Sequence, residues 1–145
     1  YTSQYTLSLH DALPISFRRR YPDASISVDA PVAQSVRADD RLGSAIDALV
    51  ENAIEHTNRR PAVDIRVLPP AGDDDLVTID VEDNGPGIPE SEIEILDEPR
   101  EGPLSHGSGL GLWYVRWYAD GHGGEVEFAD AEDRGSVVRL RLRAA

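Results

Sequence analysis

Two glycine-punctuated loops, Asp83-Asn84-Gly85-Pro86-Gly87 and Gly107-Ser108-Gly109-Leu110-Gly111-Leu112, constrain this chain more than any other feature. The first follows Val77, Ile79 and Val81, so it closes an alternating strand with a sharp turn. The second stands directly before a helix that begins at Gly109 and carries Leu110, Leu112, Trp113, Val115 and Trp117. Glycines there admit φ > 0 and let bare amides approach a ligand, and amides at a helix start favour anions. Together the loops describe a pocket with a strand end and a helix start at its walls.

The other segments supply the frame. Ile26 and Val28 alternate within 25–29, which suggests a strand. Asp39 and Asp40 offer N-cap chemistry for a helix running to about residue 57. Its apolar positions Leu42, Ile46, Leu49, Val50, Ala53 and Ile54 fall on one face. At ~100° per residue, Asn52 and His56 share one flank of that face, while Glu51 points away from the core into solvent. Val63, Ile65 and Val67 alternate, 69–75 reads as a turn, and Val77, Ile79 and Val81 form the neighbouring antiparallel strand. Ser91 caps a short helix over 92–96, and 97–106 has no period and reads as a loop. The helix after the second glycine loop ends near Gly121-His122-Gly123-Gly124, and strands follow at 125–128 and 135–143. This order predicts an α+β, two-layer sandwich with a mixed, mostly antiparallel sheet and helices on one face.

Length and charge narrow the class. At 145 residues the chain is one domain, and with 27 acidic against 14 basic residues its formal charge is -13. Every basic residue is arginine, which excludes a P-loop with its phosphate lysine and argues against nucleic-acid binding. There is no cysteine, hence no disulfide framework and no thiolate chemistry. No stretch approaches the roughly 18 apolar residues of a membrane span, so a cytoplasmic domain is expected, with membrane contact only through other parts of a parent protein. Residues 1–16 lack the acidic bias, and Leu7 to Ser16 resembles a translated sequencing-library adapter; the alternative is the end of an upstream helix. The expected domain is therefore 17–145.

Several side chains have chemistry suited to a nucleotide. Asn52, some thirty residues before the first glycine loop, is an uncharged oxygen ligand for a hard cation such as Mg²⁺, or a solvated surface residue. Asp83 can accept from an exocyclic amine such as adenine N6, or merely organise an Asx-turn. Gly107, Gly109 and Gly111 form either a flexible hinge or a cradle of amides for phosphate. Their spacing does not fit the dinucleotide GxGxxG.

In these residues and this order, the chain resembles the ATP-binding domain of sensor histidine kinases. That domain has the Bergerat fold shared with gyrase-type ATPases, Hsp90 and MutL. The resemblance spans roughly residues 20–143 and rests on Asn52, on Asp83 with Gly85 and Gly87, on Gly107, Gly109 and Gly111, and on Gly135-Ser136 before an alternating strand. The acidity and the run from Pro103 to Trp113 resemble versions from halophilic archaea. The resemblance implies that Asn52 ligates Mg²⁺ and that Asp83 reads the adenine amine. It implies further ATP contacts at His56, Gly85, Gly87, Ile88, Gly107, Ser108, Gly109, Leu110, Gly111, Leu112 and Ser136. His56 stands where the family often has an aromatic residue near the phosphates, or is a partly buried neutral histidine. Arg59 and Arg60 offer charge to the triphosphate or are surface residues before Pro61. Trp113 and Trp117 are core or an interface patch.

The resemblance also implies a partial machine. No catalytic residue is assigned. Gyrase-type relatives carry a water-activating glutamate four positions before the asparagine, where this chain has Ala48, which favours phosphotransfer over hydrolysis. The phenylalanine-rich box is absent and the lid is short. The implied function is to bind Mg²⁺-ATP and donate its γ-phosphate to a histidine on a separate helical hairpin of the same parent protein, with a response regulator downstream. His10-Asp11 with Pro14 mimics that acceptor superficially, whereas His56, His106 and His122 lack its context. The alternatives are a nucleotide-binding module without transferase activity, or an anti-sigma-type serine kinase.

Overall fold

The computed structural model describes residues 3–7, 19, 21–29, 34–39, 41–55, 60–87, 110–130 and 135–144. Its strands are β1 (Ser3–Leu7), β2 (Ser25–Asp29), β3 (Gln34–Ala38), β4 (Ala62–Leu68), β5 (Leu76–Asp83), β6 (Glu125–Asp130) and β7 (Ser136–Arg143). The helices among the described residues are α1 (Leu42–Glu55) and α2 (Leu110–Gly121). Five strands form a sheet in the order β2-β4-β5-β7-β6, and β1 pairs with β3 apart from it. Only β2 and β4 run parallel within the five; the other neighbours are antiparallel.

Alternation decides which face is buried. In β4 and β5 the pairs Ile65↔Val81 and Val67↔Ile79 lie opposite one another, and all four side chains are buried. In β7, Val138, Leu140 and Leu142 turn to the same side. On that side lie α1, through Leu42, Ile46, Leu49, Val50 and Ala53, and α2, through Leu112, Val115 and Ala119. A period of two on the strands and 3.6 on the helices thus meets in one core. Asn52 occupies the buried flank of α1, while Glu51 is half-buried rather than solvated because α1 is covered beyond its apolar stripe.

On the outward face of the sheet the arginines of the closing strand meet carboxylates of the neighbouring strands. Arg139 faces Asp80 in an ion pair of 3.3 Å that falls short of hydrogen-bond geometry, and Arg141 reaches Glu125 at 3.1 Å and Glu127 at 3.0 Å. Arg66 meets Glu82 at 3.0 Å across β4 and β5. Opposite charges at cross-strand positions stabilise the register modestly.

Two elements were not anticipated. β3 has only Val36 and Ala38 as apolar residues, yet both are fully buried and Val36 bridges to Ala144 beyond β7. β1 lies in the segment that composition sets apart, and it pairs with β3 antiparallel from Ser3↔Ala38 to Leu7↔Gln34. The helix expected over 92–96 and the loop over 97–106 lie outside the described residues.

Candidate functional site

The end of β5 and the start of β7 make one polar node. Asp83 is 4% exposed, and its Oδ1 accepts from the Gly85 amide at 2.9 Å and from the Ser136 amide at 3.4 Å. Its Oδ2 accepts from the Ser136 hydroxyl at 2.9 Å. Both readings of Asp83 therefore coexist: it closes an Asx-type turn onto Gly85, and it remains a buried carboxylate with lone pairs to spare. Gly135 permits this approach. Its φ is +100°, and a Cβ there would stand 1.9 Å from the Asp83 carbonyl oxygen. Gly87 lies beside the same strand end, its hypothetical Cβ 4.0 Å from the Gly135 carbonyl oxygen.

Asn84, which sequence reasoning treated only as part of a turn, is the strut of this loop. Its Oδ1 accepts from the Ala62 amide at 2.9 Å and its Nδ2 donates to the Arg60 carbonyl at 3.3 Å. The turn is thereby tied to the chain that leaves α1. Its signal was the Asn-Gly pair, which marks a turn without saying what the side chain will hold.

Asn52 sits on α1, which packs over β5, and is 5% exposed with its Nδ2 unpartnered. A buried amide without a partner costs on the order of 1–3 kcal/mol, so it is an uncommon choice for a purely structural position. A half-turn of the carboxamide exchanges donor and acceptor, so the orphan position can offer oxygen to a hard cation or N–H to a phosphate oxygen. The residue fits the metal-binding role on this ground.

A second polar cluster lies where α1 begins and α2 ends. Asp39 accepts from the Arg41 amide at 3.0 Å and from the Arg41 guanidinium at 2.7 Å, and the guanidinium holds its carboxyl well below the usual carboxylate range. The Tyr118 hydroxyl donates to Asp39 Oδ1 at 3.3 Å and accepts from the Asp39 amide at 3.2 Å. Burial pushes the Tyr118 phenol up to about 12, and the Asp39 charge adds to this. His122 Nε2 lies 3.2 Å from Asp39 Oδ2, and its ring stacks on Tyr118 at 4.1 Å. Of this cluster, sequence reading found only Asp39, as a helix cap. Its partners Tyr118 and His122 are 79 and 83 residues away, beyond the reach of any local pattern.

The remaining expected residues divide plainly. Ser136 joins Asp83 directly. Leu110 and Gly111 open α2, and Leu112 is buried in the core. His56, Ile88, Gly107, Ser108 and Gly109 lie outside the described residues, as do Arg59, His106 and His10. Arg60 is exposed. Trp113 and Trp117 stack at 6.4 Å, with Trp117 exposed and the Arg41 guanidinium 5.2 Å over its ring. Ala48 is half-buried on α1.

The sequence profile of the histidine kinase-, DNA gyrase B- and HSP90-like ATPase family matches residues 38–145. The nitrogen regulation protein NtrY of Azorhizobium caulinodans is 37% identical over 131 residues, which cover 86% of this chain and 17% of NtrY. The sensor-type histidine kinase PrrB of Mycobacterium tuberculosis is 35% identical over 137 residues, covering 92% of this chain and 29% of PrrB. Among solved structures, the mycobacterial sensor histidine kinase MprB superposes with a TM-score of 0.78 at 26% identity, covering 99% of this chain and 98% of that chain. The chain spans less than a third of the length of the curated relatives NtrY and PrrB. These relatives are bacterial, and the expected likeness to halophilic archaeal versions is not supported by them.

Proposed function

The chain belongs to the histidine kinase-, DNA gyrase B- and HSP90-like ATPase family, and on that premise we propose that it is the ATP-binding catalytic domain of a two-component sensor histidine kinase. It binds ATP and presents the γ-phosphate to a histidine on a helical-hairpin domain outside this chain. A response regulator takes the phosphoryl group from that histidine.

The observation that carries this reading is the aimed carboxylate of Asp83. Gly85 and Ser136 hold both of its oxygens at the end of β5, where an adenine N6 amine can donate to a remaining lone pair. Guanine presents a carbonyl at that position, so a carboxylate there discriminates by leaving two acceptors face to face. The orphaned Asn52 amide supports a Mg²⁺ ligand on the neighbouring helix. When bound, Mg²⁺ neutralises phosphate charge, which together with positioning is most of what phosphoryl transfer needs. The amides that open α2 after the second glycine loop face the anionic end of the nucleotide. Ala48, in place of a carboxylate base, leaves water unactivated. No helix among the described residues is long and apolar enough to cross a membrane. We place the domain in the cytoplasm, where ATP and a response regulator are available.

The test is transfer. The chain alone, given ATP labelled on its γ-phosphate, should show no stable self-phosphorylation. Joined to the acceptor hairpin of its parent protein, it should yield an acid-labile, base-stable phosphohistidine. Tight ATP binding with no transfer to that hairpin reduces the function to a nucleotide-binding module, and phosphoserine on a partner protein indicates a serine kinase.

A further inference from the structure

The Asp39 cluster joins the two helices that carry the phosphate end of the site. Asp39 stands three positions before the first residue of α1, its carbonyl accepting from the Leu42 amide at 3.1 Å, and His122 immediately follows α2. Helix α2 is closed by the Gly124 amide, which donates to the Ala119 carbonyl at 2.9 Å across the left-handed Gly123. That closure turns the His122 ring back onto the helix, where it lies 2.9 Å through Nδ1 from the Tyr118 carbonyl. The Tyr118 carbonyl and the Asp39 carboxylate both accept only, so whichever ring nitrogen carries a hydrogen donates it to its partner. The ring and the Tyr118 phenol are both nearly fully buried, and together with Arg41 they occupy both Asp39 oxygens.

Helices α1 and α2 pack side by side. Because the start of α1 meets the end of α2, they run antiparallel. With α1 rising ~21 Å over its 14 residues and α2 ~18 Å over its 12, their other ends also come together. Those other ends are the turn of α1 that carries Asn52 and the start of α2 at Leu110, behind the second glycine loop. A pin at one end of an antiparallel pair sets the angle between the helices and hence the spacing at the opposite end.

We propose that Asp39, Tyr118 and His122 are positioning residues for phosphate binding: they pin the end of α2 to the start of α1, and so fix the helix start behind the second glycine loop relative to Asn52. The inference rests on the nucleotide reading above. It distinguishes the phosphate end of the site, held by two helices, from the adenine end, held by the β5–β7 node. Nothing in the cluster touches Asp83, so loss of the pin should affect one end only.

The experiment compares Mg²⁺-ADP with adenosine on the 145-residue chain and on Tyr118→Phe, His122→Ala and His122→Gln. Calorimetry measures ADP, nuclear magnetic resonance shift titration measures adenosine, and all are run below the melting temperature of each protein. Tyr118→Phe keeps the ring stack and removes only the hydroxyl, so it remains informative if His122→Ala does not fold. We expect Mg²⁺-ADP to weaken roughly fivefold or more in Tyr118→Phe and His122→Ala. Adenosine affinity should stay unchanged, and His122→Gln, which retains N–H donors, should recover part of the loss. Parental ADP affinity in the folded variants overturns the inference while leaving the nucleotide reading intact, and so does an equal loss of ADP and adenosine. A parent chain that binds neither ligand removes both.

Discussion

The Ser136 hydroxyl donates to Asp83 Oδ2 at 2.9 Å and thereby joins the first residue of β7 to the last residue of β5. This bond orients the carboxylate proposed to read adenine. Asp83→Asn should therefore erode the preference for ATP over GTP, which a buried mismatched acceptor of ~1–3 kcal/mol sets at roughly tenfold or more in the parent. Ser136→Ala should keep the sign of that preference and lower stability by ~1 kcal/mol, because a buried acceptor loses its partner. Competition binding and urea denaturation read the two effects separately. Equal competition by GTP in the parent chain would remove the adenine assignment.

Gly135→Ala should be among the costliest small substitutions in the molecule. A Cβ at 1.9 Å from the Asp83 carbonyl oxygen forces β5 and β7 apart at a φ of +100° that alanine rarely adopts. The expected loss is about 2–4 kcal/mol in denaturant unfolding, with weaker ATP binding in whatever fraction folds. Gly43, in the first turn of α1, has nothing within 4 Å of its hypothetical Cβ. Gly43→Ala should raise stability by ~0.5–1 kcal/mol through helix propensity.

Asn52 should couple nucleotide affinity to Mg²⁺. In the parent, ATP binding measured calorimetrically should strengthen when Mg²⁺ replaces EDTA. In Asn52→Ala that gain should shrink severalfold, while the Mg²⁺-free affinity changes little. An undiminished Mg²⁺ effect in the variant would place the metal ligand elsewhere.

The pH dependence of stability should carry the signature of the Asp39 cluster at both extremes. The Tyr118 phenol, at about 12 in the folded protein, binds its proton more tightly than the unfolded phenol at ~10. Stability must then fall as the pH rises from there toward about 12, and Tyr118→Phe should flatten that limb. Asp39 has the opposite sign: its carboxyl is held low by Arg41, so its contribution is complete above ~4 and is lost as the pH falls further. Urea denaturation of the parent and of Asp39→Asn across the acid range measures this. Parallel curves would show that Asp39 does not contribute.

Local chemistry made much of the candidate site legible. Asp83 could be found because a strand's alternation ends there and a glycine turn begins. Helical spacing puts Asn52 on the flank of a buried stripe, and it is the resemblance to the family that singles it out there. Asn84, Tyr118 and His122 could not be found. An asparagine in an Asn-Gly turn, a tyrosine within an apolar helix face and a histidine at a glycine-rich helix end look ordinary until their partners, 22 to 83 residues distant, are in place.

The amino-acid sequence by itself determined the types of α1, α2 and the strands β2 and β4 to β7, and which face of each is apolar. Those properties follow from periods of 2 and 3.6 residues, and a period is local. Only the tertiary structure decided that β2 joins β4 in parallel and that β3, with two apolar residues, is buried. It also brought the Gly135 backbone against Asp83 and His122 back to Asp39. Each of these relations closes a long loop of chain. Whether such a loop closes depends on what the sheet and helix pair bury together, a property of the assembled core and of no single segment.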